Sequence, residues 1–296
     1  MKRRVIKQGN NTLTITLPRK WTEKFKIKAG DELEIGEKRN DLIINTKKES
    51  SLGKISIHIP KNSVFPRRLI FTPYFKGYDE IEISFEDENA LNWIQKCSET
   101  MLGFEIIHQG KSYCILKNVA KGIETEFKNI FNRLALISIS MGKDLYECLK
   151  ENNIEKLPNV ARMEELSNKF CLFCKRMLNG HYEGEERNNS LYRLTCLFEE
   201  IADDYEEICN VILSHKLKIK PEILELIRKI NDFADSNYKL IQKYDLDKLC
   251  EFKKNESILL KEVSSLISKT KGDEALILCS LLHIVKTNHN IAEEAL

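Results

Sequence analysis

Thr12-Leu13-Thr14-Ile15-Thr16-Leu17-Pro18-Arg19-Lys20-Trp21 alternates apolar and polar residues for six positions and then meets a proline. The period of two predicts a half-buried strand over 12–17. Pro18 predicts a short helix, Arg19 to Phe25, because a proline at a helix start gives up only an N–H that would be orphaned anyway. Upstream, Arg4 to Lys7 reads as a strand and Gly9-Asn10-Asn11 as a turn. Downstream, Ala29-Gly30-Asp31 is a turn, and Glu32 to Ile35 and Leu42 to Asn45 alternate again around Lys38-Arg39-Asn40-Asp41. The unit spans residues 1–47 and is too small to bury an adequate core alone. No cysteine precedes Cys97 and no histidine precedes His58, so neither a disulfide nor a metal can staple it. Pairing with a second copy, a homodimer, is the expected solution.

The charge is uneven. The net is +2, yet residues 1–28 carry nine Lys and Arg against a single acid, Glu23. A basic head on a mildly acidic body points to a polyanion partner. Lys2, Arg3, Arg4 and Lys7 flank the first strand. Arg19 and Lys20 open the helix, where free backbone N–H groups also favour phosphate. Each phosphate neutralised releases counterions, so binding should weaken with salt. Asn10, Asn11 and the guanidinium groups are candidates for reading base edges of double-stranded DNA.

This order of elements resembles the AbrB/SpoVT (swapped-hairpin) DNA-binding domain. The resemblance is carried by Gly9-Asn10-Asn11, the run Thr14 to Trp21, and Ile27-Lys28-Ala29-Gly30-Asp31-Glu32-Leu33. It implies that two chains interleave hairpins into one barrel-like dimer whose basic residues dock on DNA. Trp21 is then expected to close the hairpins as a core residue.

The rest of the chain predicts a multidomain α+β protein. Residues 48–120 read as a small α+β linker subdomain: strands at Lys54 to Ile59, Glu80 to Phe85, Phe104 to Ile107 and Tyr113 to Leu116, an apolar-periodic stretch at Asn62 to Phe75 broken by Pro66 and Pro73, and a helix at Asn89 to Leu102. Residues 121–296 read as six long helices, near 122–152, 155–179, 190–216, 221–243, 246–270 and 273–296. The third bears an apolar stripe, Leu194, Phe198, Ile201, Tyr205, Ile208 and Ile212, that suits a bundle interior. Ile154-Glu155-Lys156-Leu157 and Leu246-Asp247-Lys248-Leu249 correspond at an offset of 92, which suggests two three-helix bundles side by side.

On the third helix Glu199, Asp203 and Glu206 fall at i, i+4 and i+7 and share a face. A line of carboxylates can bind a hard cation, or it can simply be a solvated acidic face. The paired bundles and Glu199-Glu200-Ile201-Ala202-Asp203-Asp204 resemble PhoU, a regulator of phosphate signalling. That resemblance implies a Glu/Asp-x-x-x-Asp element in each repeat, metal-binding in some members. Glu199 and Asp203 match the first; Leu282 and Lys286 stand where the second should be. No cofactor is required by the residues, and a divalent or ferric ion at Glu199 and Asp203 is the one candidate. Together the parts resemble archaeal PhoU-like phosphate uptake regulators, which implies a transcriptional regulator. A signalling adaptor that binds a phosphate transporter or sensor protein, with the head used mainly to dimerise, is the alternative.

Length and composition narrow the rest. At 296 residues, 42% hydrophobic, the chain has room for roughly one to three domains. No apolar run approaches the length of about 20 residues needed to span a membrane, and the basic start has no apolar stretch behind it, so a cytoplasmic protein is expected. The nine cysteines read as reduced, buried thiols. Cys171-Leu172-Phe173-Cys174 lacks a second pair and reads as helix packing, as do His283 and His289. There is no Gly-rich phosphate loop, no GxSxG and no HExxH; no enzyme is expected.

Overall fold

The computed structural model describes the chain except for residues 1, 10–11, 39–40, 47–52, 88, 121, 182–187, 244 and 296. Asn10 and Asn11 therefore lie outside the described residues. The chain divides into two compact units, residues 1–50 and 51–296.

In the first unit, β1 (Ile6–Gln8) pairs antiparallel with β2 (Thr12–Thr14), and α1 (Arg19–Phe25) follows. β3 (Leu33–Lys38) then pairs antiparallel with β4 (Asp41–Thr46). The strand read over 12–17 closes at Thr14, because in one chain Ile15 to Leu17 meets no neighbouring strand to continue the ladder. Pro18 stands just ahead of α1 as its extended capping residue (φ −66°, ψ 125°), and the helix spans the expected Arg19–Phe25. Asp31 secures the turn after α1 by accepting from the Lys28 N–H at 2.8 Å, and Gly30 takes φ +95° there, which a side chain would resist. Among the described residues the hairpins form two separate two-stranded sheets, and one chain closes no barrel. Three-residue strands cannot supply the staggered ring of pairings that closure requires.

The second unit opens with a mixed sheet. β5 (Lys54–Ile59), α2 (Pro66–Phe75) and β6 (Glu80–Phe85) form a parallel β-α-β crossover; α3 (Ala90–Thr100) leads to the hairpin β7 (Phe104–Gln109) and β8 (Tyr113–Asn118). The strand order is β5-β6-β8-β7. Alternation assigns the faces: Ile81, Ile83 and Phe85 of β6 and Cys114 and Leu116 of β8 are buried with Ile70, Tyr74, Ile94 and Cys97 of α2 and α3. The opposite face is charged, with Lys54 and Lys117 both paired to Glu80. Pro66 occupies the first helical position of α2, while Pro73 lies inside its last turn.

Seven helices follow: α4 (Phe127–Lys150), α5 (Leu157–Ala161), α6 (Met163–Arg176), α7 (Asn188–His215), α8 (Pro221–Gln242), α9 (Leu246–Lys269) and α10 (Glu274–Ala295). The single helix expected over 155–179 is thus broken near Arg162 and ends in a π-turn, Met177–His181. Helices α4, α6 and α7 pack on one another, as do α8, α9 and α10; α7 against α10 and α4 against α8 join the two triplets. The stripe on α7 is buried along its whole length. At the α4–α8 crossing, Asn231 donates to the Gly142 carbonyl at 2.7 Å and accepts from Tyr205 Oη at 2.8 Å. A methyl group on Gly142 would overlap both partners, so only glycine fits. Beside it Lys143 pairs with Asp235 at 2.7 Å, 92 positions away, the offset of the sequence repeat.

Sheet and helices in this unit are pinned by one side chain. Arg176, at the end of α6, is 2% exposed. It donates to the carbonyls of Tyr74 (2.9 Å) and Tyr78 (2.7 Å), pairs with Asp79, and stacks over the rings of Tyr74 and Phe104. Asn179 donates to the Phe75 carbonyl at 2.9 Å. The Pro73-to-Asp79 segment is therefore the socket for the end of α6. No helix among the described residues is long and apolar enough to cross a membrane.

Candidate nucleic-acid interface

The cations of residues 1–28 are displayed on a scaffold that cannot bury itself. None of the described side chains from Lys2 to Ile44 is buried. Leu17, Trp21, Phe25 and Ile27 are half-buried, with the Trp21 and Phe25 rings 5.5 Å apart, and that small cluster orients α1. Val5, Ile6, Leu13, Ile15, Ile35 and Leu42 all remain exposed, Leu13 at 68% and Ile35 at 62%. The register sets Ile35 opposite Ile44 and Glu37 opposite Leu42, so Leu33, Ile35, Leu42 and Ile44 line one face of the second hairpin. Contiguous exposed apolar surface of this kind marks an interface.

Among these apolar groups stand the basic residues read from the sequence. Lys2, Arg3 and Arg4 are exposed ahead of β1, and Lys7 is exposed opposite Leu13 on the first hairpin. Arg19 and Lys20 are exposed in the first turn of α1. Arg19 pairs with Glu23 at 2.8 Å, but the two side chains are 90% and 60% exposed, so the pair contributes little and leaves the guanidinium free to exchange glutamate for phosphate. Lys24, Lys26 and Lys28 extend the exposed basic surface; their positions follow from the same charge run.

The acidic face of the helical region gains a member that spacing on one helix could not show. Glu164 on α6 faces Glu199, Asp203 and Glu206 on α7. Burial, then the Glu206, Asp203 and Glu199 charges, push its carboxyl up to about 7. Burial, then Glu199 and Glu206, raise Asp203 to about 7 as well. Lys175 approaches Glu199 at 4.0 Å. Among the described residues no group of three or more His, Cys, Asp and Glu is placed to hold a metal ion.

These raised carboxyls have a consequence for stability. Both are weaker acids folded than unfolded, so the folded chain holds more protons between about pH 4 and pH 7. Their contribution to stability therefore grows as pH falls through 7 and is complete near 4. Glu164→Gln should melt at a higher temperature than the parent at pH 8, and the gap should shrink at pH 5; an equal gap at both values would refute the assignment.

Two comparisons with known proteins return nothing: no curated protein and no solved structure matches the chain. A family model does match, described as "Antidote-toxin recognition MazE, bacterial antitoxin", over residues 6–52. Over that stretch the head is similar to the MazE/AbrB-like class of domains. The match takes in Lys7, Arg19 and Lys20 and both hairpins, and leaves Lys2, Arg3 and Arg4 just outside.

Proposed function

We propose that the protein is a dimeric DNA-binding transcriptional regulator whose MazE/AbrB-like head docks on double-stranded DNA and whose helical body, of PhoU type, links it to phosphate uptake. One observation carries the first half: the head exposes six large apolar side chains among its cations, within the stretch that matches the antitoxin model or directly beside it. Two copies would bury those side chains against each other, close the barrel that one chain leaves open, and double the cationic surface. The expected contacts are Lys2, Arg3, Arg4, Lys7, Arg19 and Lys20, with Asn10 and Asn11, outside the described residues, as the sequence-read candidates for base edges. The phosphate link rests on the resemblance of the paired helical triplets and the acidic element to PhoU. The description of the matched family favours a second reading, an antitoxin that carries its own DNA-binding head.

The test is a salt titration of DNA binding by the full chain and by its Arg3→Ala/Arg4→Ala variant. Two lost phosphate contacts should lower the slope of log affinity against log salt by about 2. An unchanged slope removes these arginines from the interface. Absence of any DNA shift, with recovery of a transporter subunit or of a toxin from cell extract, would favour the adaptor or the antitoxin reading respectively.

A further inference from the structure

The link between α7 and α8 alternates in burial. Leu217 and Ile219 are half-buried against the helical core, while Lys216, Lys218 and Lys220 stand exposed between them. Two residues of extended chain advance roughly 6–7 Å, so the alternation sets the three lysines in a row on the outer side. The row has a fixed start. Helix α7 ends with Lys216 in the left-handed region (φ +50°), and the Leu217 N–H reaches back to the Ile212 carbonyl at 3.1 Å. That position of a helix end is most often glycine; here it carries a cation.

The link between α9 and α10 lies beside the row. His215 pairs with Asp273 at 2.9 Å, and Lys220 with Glu274 at 2.5 Å. This second link adds Lys269 and Lys271, both exposed. Among the described residues Lys216, Lys218, Lys269 and Lys271 have no carboxylate partner, and Glu222 in the first turn of α8 is the acid left beside them. The cations inside α8 are arranged differently: Arg228 pairs with Glu225 and Asp232, Lys229 with Glu262 and Lys239 with Asp235. Residues 51–296 hold more acids than bases, so a patch of unmatched lysines runs against the charge of the body around it.

We propose that this end of the helical body is a second DNA contact, a lysine surface that holds the phosphate backbone of double-stranded DNA without reading its sequence. The residue types decide the class of partner. Lysine is a compact point charge that suits phosphate, and it lacks the planar fork with which arginine reads guanine. No Phe, Tyr or Trp lies in residues 213–222 or 266–276, so there is no platform on which single-stranded bases could stack. Leu276 is the single large apolar side chain exposed in those two stretches among the described residues, too little to seat the body in a membrane surface. The proposal rests on the DNA-binding reading of the protein but uses none of the head's residues, so the two can fail separately.

The experiment is a salt titration of the full-length protein on a long duplex of arbitrary sequence. It compares the parent, Lys218→Gln/Lys271→Gln, Arg3→Ala/Arg4→Ala and the combination of all four. Each pair should lower the slope of log affinity against log salt by about 2, and the combination by about 4. Lys218→Arg/Lys271→Arg keeps both charges and should keep the parent slope. A glutamine pair that leaves the slope unchanged, while the alanine pair lowers it, overturns the proposal and leaves the head reading standing. The reverse result supports the proposal and removes those arginines from the interface. Absence of DNA binding by the parent overturns both. The parent should not sediment with phosphatidylglycerol vesicles; sedimentation that the glutamine pair abolishes, with the DNA slope unaltered, would give this surface to a membrane instead.

Discussion

Arg176→Met should destabilise the second unit by about 3–5 kcal/mol, the usual consequence of removing one partner of a buried ion pair. The guanidinium is 2% exposed and satisfies two main-chain carbonyls and the Asp79 carboxylate at once. Methionine keeps much of the volume against Tyr74 and Phe104, so the loss measured is polar. Arg176→Lys should recover only a small part, because an ammonium on a single stem cannot reproduce the planar fork that reaches three acceptors. Asp79→Asn should cost less than Arg176→Met, since both carbonyls keep their donor. Urea unfolding followed by circular dichroism reads all three. If Arg176→Met costs under 1 kcal/mol, the side chain is not the pin that joins α6 to the sheet.

Ile35→Asp should abolish dimerisation and lower DNA affinity by about 100-fold or more, through loss of paired half-site binding. Ile35 is 62% exposed in the single chain, so a monomeric head would tolerate aspartate with no change. In the proposed dimer the same position is buried, and an unpaired carboxylate there is costly. Sedimentation in dilute solution and a DNA shift on the same preparation separate the outcomes. A dimer that survives Ile35→Asp places the partner surface elsewhere, and a monomer that still binds DNA at full strength contradicts the shared cationic platform.

The head was readable from its residues because its signals are local. A period-two run, a proline before Arg19 and a Gly-Asp turn act over two to four residues, and the structure places β2, α1 and β3 where those signals fall. The stripe on α7 was readable for the same reason, since a helix repeats every 3.6 residues whatever packs on it. The charge run in residues 1–28 likewise needs no neighbours to be seen. The break of the second long helix at Arg162 was not readable: Pro158 sits harmlessly in the first turn of α5, and the strongest breaker nearby gives no hint of a kink four residues later.

Contacts between distant elements were hidden for a different reason. Glu164 looks like an ordinary surface glutamate until α6 is set against α7, and Pro73 to Asp79 looks like a capped helix end until Arg176 enters it from about a hundred positions away. Asn237 reads as one polar residue on an amphipathic helix; only the seam of four helices leaves its oxygen without a donor among the described residues. The amino-acid order by itself determined the hairpin head with its cations, the helical content of the body and the stripe that faces inward, because propensity, periodicity and charge belong to neighbouring residues. The tertiary structure alone decided which helices meet, which buried polar groups are satisfied, and that the head keeps no core of its own, because these depend on registers between segments that are remote along the chain.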